Sequence, residues 1–142
     1  MGIEQLKKLK NFISIRKKNY NYYLKKISYL GQNIVSINIK IPNSEVSPYC
    51  FPMIFKNIDI KKRQKILILL KKYNIGSSVY YPHPVPRLDF YKKKYGYNKK
   101  KFINAEIFSD KMIVFPVAPH INLKNIDYIF TSLKKIFNKV KL

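Results

Sequence analysis

From Ile3 to Tyr29 apolar side chains recur every three or four residues: Leu6, Leu9, Ile13, Tyr20, Tyr23 and Ile27, with one gap at Arg16. That is the period of one face of an α-helix, so a helix is predicted over Ile3 to Tyr29, with Gly31 ending it. A stripe of this length needs a second apolar surface to lie on. Arg16 falls on the stripe itself. Two readings stand for it: a stem packed along the stripe with its head in solvent, or an ion pair whose partner is missing from the chain.

The rest of the chain supplies that second surface. Ile34 to Ile41 alternates, with Val35, Ile37, Ile39 and Ile41 on one face and Ile34, Ser36, Asn38 and Lys40 on the other, as a half-buried strand does. Tyr49 to Phe55 reads as a second strand, and Pro52 implies an edge or a bulge. Ile60 to Tyr73 reads as a helix capped by Asp59 and ended by Asn74-Ile75-Gly76. Ser77 to Tyr81 reads as a short strand, Asp89 to Tyr95 and Asn104 to Asp110 as short helices, and Met112 to Val117 as a buried strand. The last helix is predicted with Asn122 as its cap, a staple between Ile121 and Ile126, and a stripe of Leu123, Ile126, Phe130, Leu133, Phe137 and Val140. No βαβ alternation appears, which predicts an α+β fold: a small antiparallel or mixed sheet packed against helices. The expected organisation is one domain over 1–142, with the long helix 3–29 leading into a sheet-and-helix unit over 33–142.

Composition narrows the function classes. The net charge is +22, from 29 Lys+Arg against 7 Asp+Glu. Such an excess suits a polyanion, yet only Arg16, Arg63 and Arg87 are arginines, and base readers and phosphate clamps favour the planar guanidinium fork. Specific nucleic-acid recognition is therefore not expected; non-specific, salt-sensitive attraction is. The longest apolar run, Ile66 to Leu70, is far short of the roughly 20 residues that span a bilayer, so no membrane role is expected. Cys50 is the single cysteine, which rules out a disulfide within the chain and suits a reducing, cytoplasmic setting.

Catalytic constellations are scarce. Gly2, Gly31, Gly76 and Gly96 are isolated, so no phosphate-cradling loop is present. The seven acids read as scattered, and with Cys50, His83 and His120 they give no expected metal site and no catalytic residue. Every lysine falls in a polar run or on a solvated face, unsuited to a low-pKa Schiff-base role. The segment from Tyr80 to Arg87 differs: prolines at 82, 84 and 86 stiffen it and present Tyr80, Tyr81, His83 and Arg87. Those side chains suit an anionic ligand; a structural connection with exposed tyrosines is the other reading.

The order of motifs resembles a known family. Gly2-Ile3-Glu4-Gln5-Leu6-Lys7-Lys8-Leu9, followed by Arg16 and Tyr23, resembles the helix joining the two domains of the DegT/DnrJ/StrS sugar aminotransferases. Arg63, Leu70 and Asn74-Ile75-Gly76 resemble the family's helix and turn; Tyr81-Pro82 and Tyr91 resemble the loop after it. Asn104-Ala105-Glu106 and Phe115-Pro116-Val117 resemble the segments before its last helix. The resemblance implies the C-terminal small domain of a fold type I enzyme that uses pyridoxal phosphate, acts on nucleotide-linked keto sugars in amino-sugar or polysaccharide biosynthesis, and works as a homodimer. It also implies that the large domain holding the cofactor and its Schiff-base lysine lies outside this chain, so the isolated chain is expected to be an inactive fragment. Tyr80, Tyr81, His83 and Arg87 become the expected substrate contacts, and Arg16, Tyr20 and Tyr23 the expected residues docking on the large domain. Two positions depart from the family pattern, which often has histidine where Tyr80 and Pro86 stand. Alternative readings are a basic polyanion-binding module and a non-catalytic partner of an intact aminotransferase.

Overall fold

The computed structural model describes residues 2–37, 42–44 and 47–141. Helix α1 (Gly2–Ile27) continues into a 3-10 turn, Ser28–Leu30, which Gly31 ends at φ 87°. Strands β1 (Ile34–Val35) and β2 (Cys50–Phe55) precede helix α2 (Ile60–Lys72). Helices α3 (Asp89–Tyr95) and α4 (Ile103–Lys111) then lead to β3 (Met112–Pro116) and α5 (Leu123–Val140). Among the described residues this makes an α+β fold with one antiparallel sheet, ordered β1-β2-β3. None of the described helices is long and apolar enough to cross a membrane.

Local chemistry explains most boundaries. The Asp59 carboxylate accepts the Lys62 N–H at 2.7 Å and starts α2. At the other end Ile75 N–H returns to Leu70 O and Asn74 N–H to Lys71 O, a Schellman turn that needs Asn74 at φ 56°. Asn122 and Asn125 exchange side chain-to-backbone bonds at 2.9 and 3.0 Å, a capping box for α5.

Alternation in β2 and β3 sorts side chains onto two faces. Phe51, Met53, Phe55, Ile113 and Phe115 meet α1, α2 and α5 in the main core, while Ile54, Met112 and Val114 pack with Ile107 and Phe108 of α4. Ile126, Leu133 and Ile136 of α5 are fully buried, each worth about 1.5–3 kcal/mol. Tyr23 of α1 stacks on Phe51 at 4.6 Å. Asn19, buried beside it, donates to the carbonyls of Val117, Ala118 and Ile121 and ties α1 to the chain after β3.

Two expectations are corrected, and a third is met only over part of its length among the described residues. Pro52 lies on the central strand, paired with Val114; β1 reaches only Ile54 and Phe55, so among the described residues no strand neighbour needs the missing N–H, and the Ser36 hydroxyl bonds the Pro52 carbonyl instead. Ser77 to Tyr81 is no strand but a single bridge, Ser78 to Val114, beyond which the prolines deny the chain a ladder. The strand predicted to Ile41 is described as strand only over Ile34–Val35, and positions 38–41 lie outside the described residues.

Candidate functional site

The segment after α2 is anchored at both ends and free in the middle. Ile75 is buried, and Ser78 exchanges two backbone bonds with Val114 at 3.1 and 2.9 Å. Tyr81 is 75% exposed, and Tyr80 and His83 are also exposed. Pro84 is buried again, and Val85–Arg87 closes a 3-10 turn through Arg87 N–H to Pro84 O. The stiff loop thus presents three of the four expected contacts to solvent.

Arg87 behaves differently. Its guanidinium forms a bidentate pair with Asp110 at 2.7 and 2.9 Å and a further pair with Glu106, which also accepts the Tyr97 hydroxyl. Glu106 is 3% exposed. Arg87, expected as a substrate contact, is paired within the chain: two carboxylates of α4 hold it as a clamp on the end of the loop. The bond to Asp110 raises the already high pKa of Arg87 and holds the Asp110 carboxyl below the usual carboxylate range. Next to this cluster the buried Arg63 donates to the Ser109 carbonyl, and desolvation lowers its pKa. The acids therefore are not all scattered. Glu106 and Asp110 are four residues apart, one turn of a helix, and that spacing was the available signal.

The three expected docking residues also divide. Tyr23 has no exposure and sits in the core, so it cannot meet another domain; its ring fills the space over Phe51 and its hydroxyl donates to Pro116 O at 3.1 Å. Tyr20 is half-buried, edge-on to Phe51, with its hydroxyl on Ile37 O at 2.7 Å. Both fasten α1 to its own sheet. Arg16 is half-buried, and its guanidinium donates to Tyr49 O at 3.2 Å. It lines a groove of about 320 Å³ together with Tyr80, so these two expected residues, distant in sequence, meet at one site. A second groove, of about 500 Å³, runs between the 3-10 turn at Val85 and the aromatic rings of Tyr91, Tyr95 and Phe102.

The family model described as the DegT/DnrJ/EryC1/StrS aminotransferase family matches residues 1–134. An uncharacterized protein of Methanocaldococcus jannaschii is 30% identical over 98% of this chain and 36% of its own length. The UDP-4-amino-4,6-dideoxy-N-acetyl-beta-L-altrosamine transaminase of Campylobacter jejuni is 29% identical over 99% of this chain and 36% of its own. The chain thus spans about a third of the length of these curated relatives. Among solved structures, a Streptococcus pneumoniae protein described as a sugar aminotransferase superposes with a TM-score of 0.81 at 25% identity, over 98% of this chain and 34% of that one. It has been solved in PLP, PMP and apo forms. None of the described lysines is buried, whereas a covalent anchor for that cofactor needs a desolvated amine. The match along nearly the whole chain, together with the shared fold, places this protein in the PLP-dependent DegT/DnrJ/EryC1/StrS aminotransferase family.

Proposed function

We propose that the chain is the C-terminal small domain of a nucleotide-sugar aminotransferase, one that closes over a substrate site whose cofactor is held by a large domain. The observation that carries this reading is the asymmetry of coverage: all but a few residues of this chain match about a third of the Campylobacter jejuni transaminase and of the Streptococcus pneumoniae structure. The first turns of α1 support it. Ile3 and Leu6 are 75% and 65% exposed and Leu9 is exposed too, an apolar row with nothing on it. In the full enzyme that row packs on the large domain.

In this reading Tyr80, Tyr81 and His83 reach a nucleotide-linked sugar from the rim, pre-organised by the prolines so that little entropy is lost on binding. Arg87 acts through the loop: clamped by Asp110 and Glu106, it fixes where the exposed residues stand. The enzyme assembles as a homodimer, and its product enters amino-sugar or polysaccharide synthesis. When bound, the cofactor supplies the electron sink for transamination, and this chain's part is to orient substrate and exclude water. The test uses the purified chain with pyridoxal phosphate, glutamate and UDP-linked keto sugars. No amino sugar and no single saturable cofactor site are expected. Turnover by the chain alone would overturn the assignment.

A further inference from the structure

The stretch 88–104 adds nothing to the core and exposes what a fold ordinarily hides. None of its residues belongs to either cluster of packed apolar side chains. Phe90 and Tyr95 are 65% and 70% exposed, and Tyr91 and Phe102 are exposed as well. Single exposed rings are ordinary, but a contiguous group of them marks a binding surface. The same stretch concentrates charge. Six of the ten residues 92–101 are lysines, and no acid occurs between Asp89 and Glu106. All six lysines are exposed, and Glu106 is already held by Arg87 and Tyr97.

The rings surround a depression. Tyr91 and Tyr95, one turn apart on α3, are nearly parallel, with 21° between their planes and centroids 6.3 Å apart. With Tyr97 and Phe102 they line the groove of about 500 Å³, and Asn98 and Lys101 complete its wall. The Lys94 ammonium lies 5.8 Å over the Phe90 ring and 5.4 Å over the Tyr95 ring, which sets a cation beside the aromatic surface. A groove with aromatic walls and a lysine fringe fits a chain of flat rings joined by anions: bases stack, and phosphates pair with ammonium groups. Stacking reads no base edge, so the shortage of arginine is no obstacle. A duplex fits poorly, because its bases are already stacked on one another. An anionic lipid surface suits rings that project from an apolar face, whereas four of these line a concavity.

We propose that this groove binds single-stranded nucleic acid without sequence preference, one base seated among Tyr91, Tyr95 and Phe102 and the flanking phosphates held by the lysines of 92–94 and 99–101. It gives the salt-sensitive attraction expected of a +22 chain a particular place. The proposal does not depend on the aminotransferase reading.

The test follows the fluorescence anisotropy of labelled strands with the full 142-residue chain. The probes are an oligothymidylate of about 12 nucleotides, an abasic strand of the same length, and a hairpin duplex with the same number of phosphates. At about 0.15 M salt the oligothymidylate should bind about tenfold more tightly than either of the others. Uridine monophosphate should compete at least about a hundredfold less well, since it carries one base and one phosphate. Tyr91→Ala with Tyr95→Ala should weaken the oligothymidylate about tenfold and leave the abasic strand unchanged. Tyr91→Phe with Tyr95→Phe keeps the rings and should stay within about twofold. Lys99→Gln, Lys100→Gln and Lys101→Gln together should weaken every strand and reduce the salt slope by about two. Lys134→Ala with Lys135→Ala, in a separate groove beside Tyr29, should leave the preference for the oligothymidylate over the abasic strand intact. Equal binding of the abasic strand or the hairpin, or an alanine pair without effect, would reduce the interaction to general charge and overturn the proposal. Uridine monophosphate as tight as the strand would do so too, by making the groove a site for a single nucleotide. Retention on phosphatidylserine vesicles that disappears in the alanine pair, with strand binding intact, would assign the rings to a lipid surface and overturn it as well. Each would leave the domain assignment standing, because that assignment fails only if the chain turns over alone.

Discussion

Helices α1 and α5 carry the same kind of stripe and meet opposite fates. In α5 Ile126, Phe130, Leu133, Phe137 and Val140 are all buried against the sheet. In α1 the stripe is used from Tyr20 onward, while Ile3, Leu6 and Leu9 face solvent. Periodicity reports that a helix has an apolar face; it does not report whether the partner of that face is in the same chain. Where a stripe outruns its own core, as at Ile3, Leu6 and Leu9, the surplus apolar row stays on the surface. The lower half of α1 is held by more than grease: Asn19 bonds the chain after β3, Tyr23 the last residue of β3, and Tyr22 and Lys26 both reach Asp127 of α5.

The hardest blow to the buried side of this contrast is Leu133→Ala. Leu133 is fully buried in α5, and the cavity left behind should cost about 2–5 kcal/mol, read as a lower urea midpoint with an unchanged slope. A loss under about 0.5 kcal/mol, the size usual for surface positions, would mean that α5 is no more integrated than the start of α1.

Asn19→Ala probes the boundary between the two halves of α1. The change strips the donor from the carbonyls of Val117, Ala118 and Ile121. Buried acceptors left without a donor should cost about 1–3 kcal/mol. Backbone hydrogen exchange should rise in α1 and at 117–121 before it rises in α5.

The clamp at Arg87 gives a pH signature. Asp110 titrates lower in the folded chain than in the unfolded one, so its pairing stabilises the fold while it is ionised in both states. That contribution is complete above the ordinary carboxylate range, about pH 4, and is lost as pH falls through the depressed folded value. Asp110→Asn should therefore lower stability at pH 7 and flatten the fall below about pH 4, measured by urea midpoints across pH. An acid limb unchanged in the variant would mean that the pair adds nothing to the loop's anchorage.

Much of this was legible in the sequence wherever the signal was local. The Asn122 cap, the Asp59 cap, α3 over Asp89–Tyr95 and the helical turn at Asn74 all rest on residues within seven positions of one another. What escaped reading was non-local. Pro52 suggested an edge because its missing N–H is visible in the sequence, while the short reach of β1 is not. Arg87 lies 19 residues from Glu106 and 23 from Asp110, and only folding sets its fork over them. Tyr23 sits on an amphipathic stripe whether it packs inward or docks outward; the Phe51 ring beneath it decides. The sequence points Arg16 and Tyr80 to different roles, and their shared groove follows from how α1 crosses the end of the sheet.

The smallest expected effect on stability is the most informative about the contrast. Leu6 is 65% exposed, so Leu6→Ser removes no packing within this chain. Its cost should lie within about 0.5 kcal/mol, much of it helix propensity. Its effect on association should be large, since an exposed apolar row that serves an interface loses most of its value when a polar group enters its centre. The comparison uses the large domain of the Campylobacter jejuni relative, produced as a separate polypeptide and passed over the immobilised chain. Retention by the unaltered chain and loss of retention with Leu6→Ser would show that the start of α1 is a docking row. If Leu6→Ser instead lowers the urea midpoint as far as Leu133→Ala does, the start of α1 packs within its own chain. The two helices then share one fate, and the case for a surplus stripe is gone.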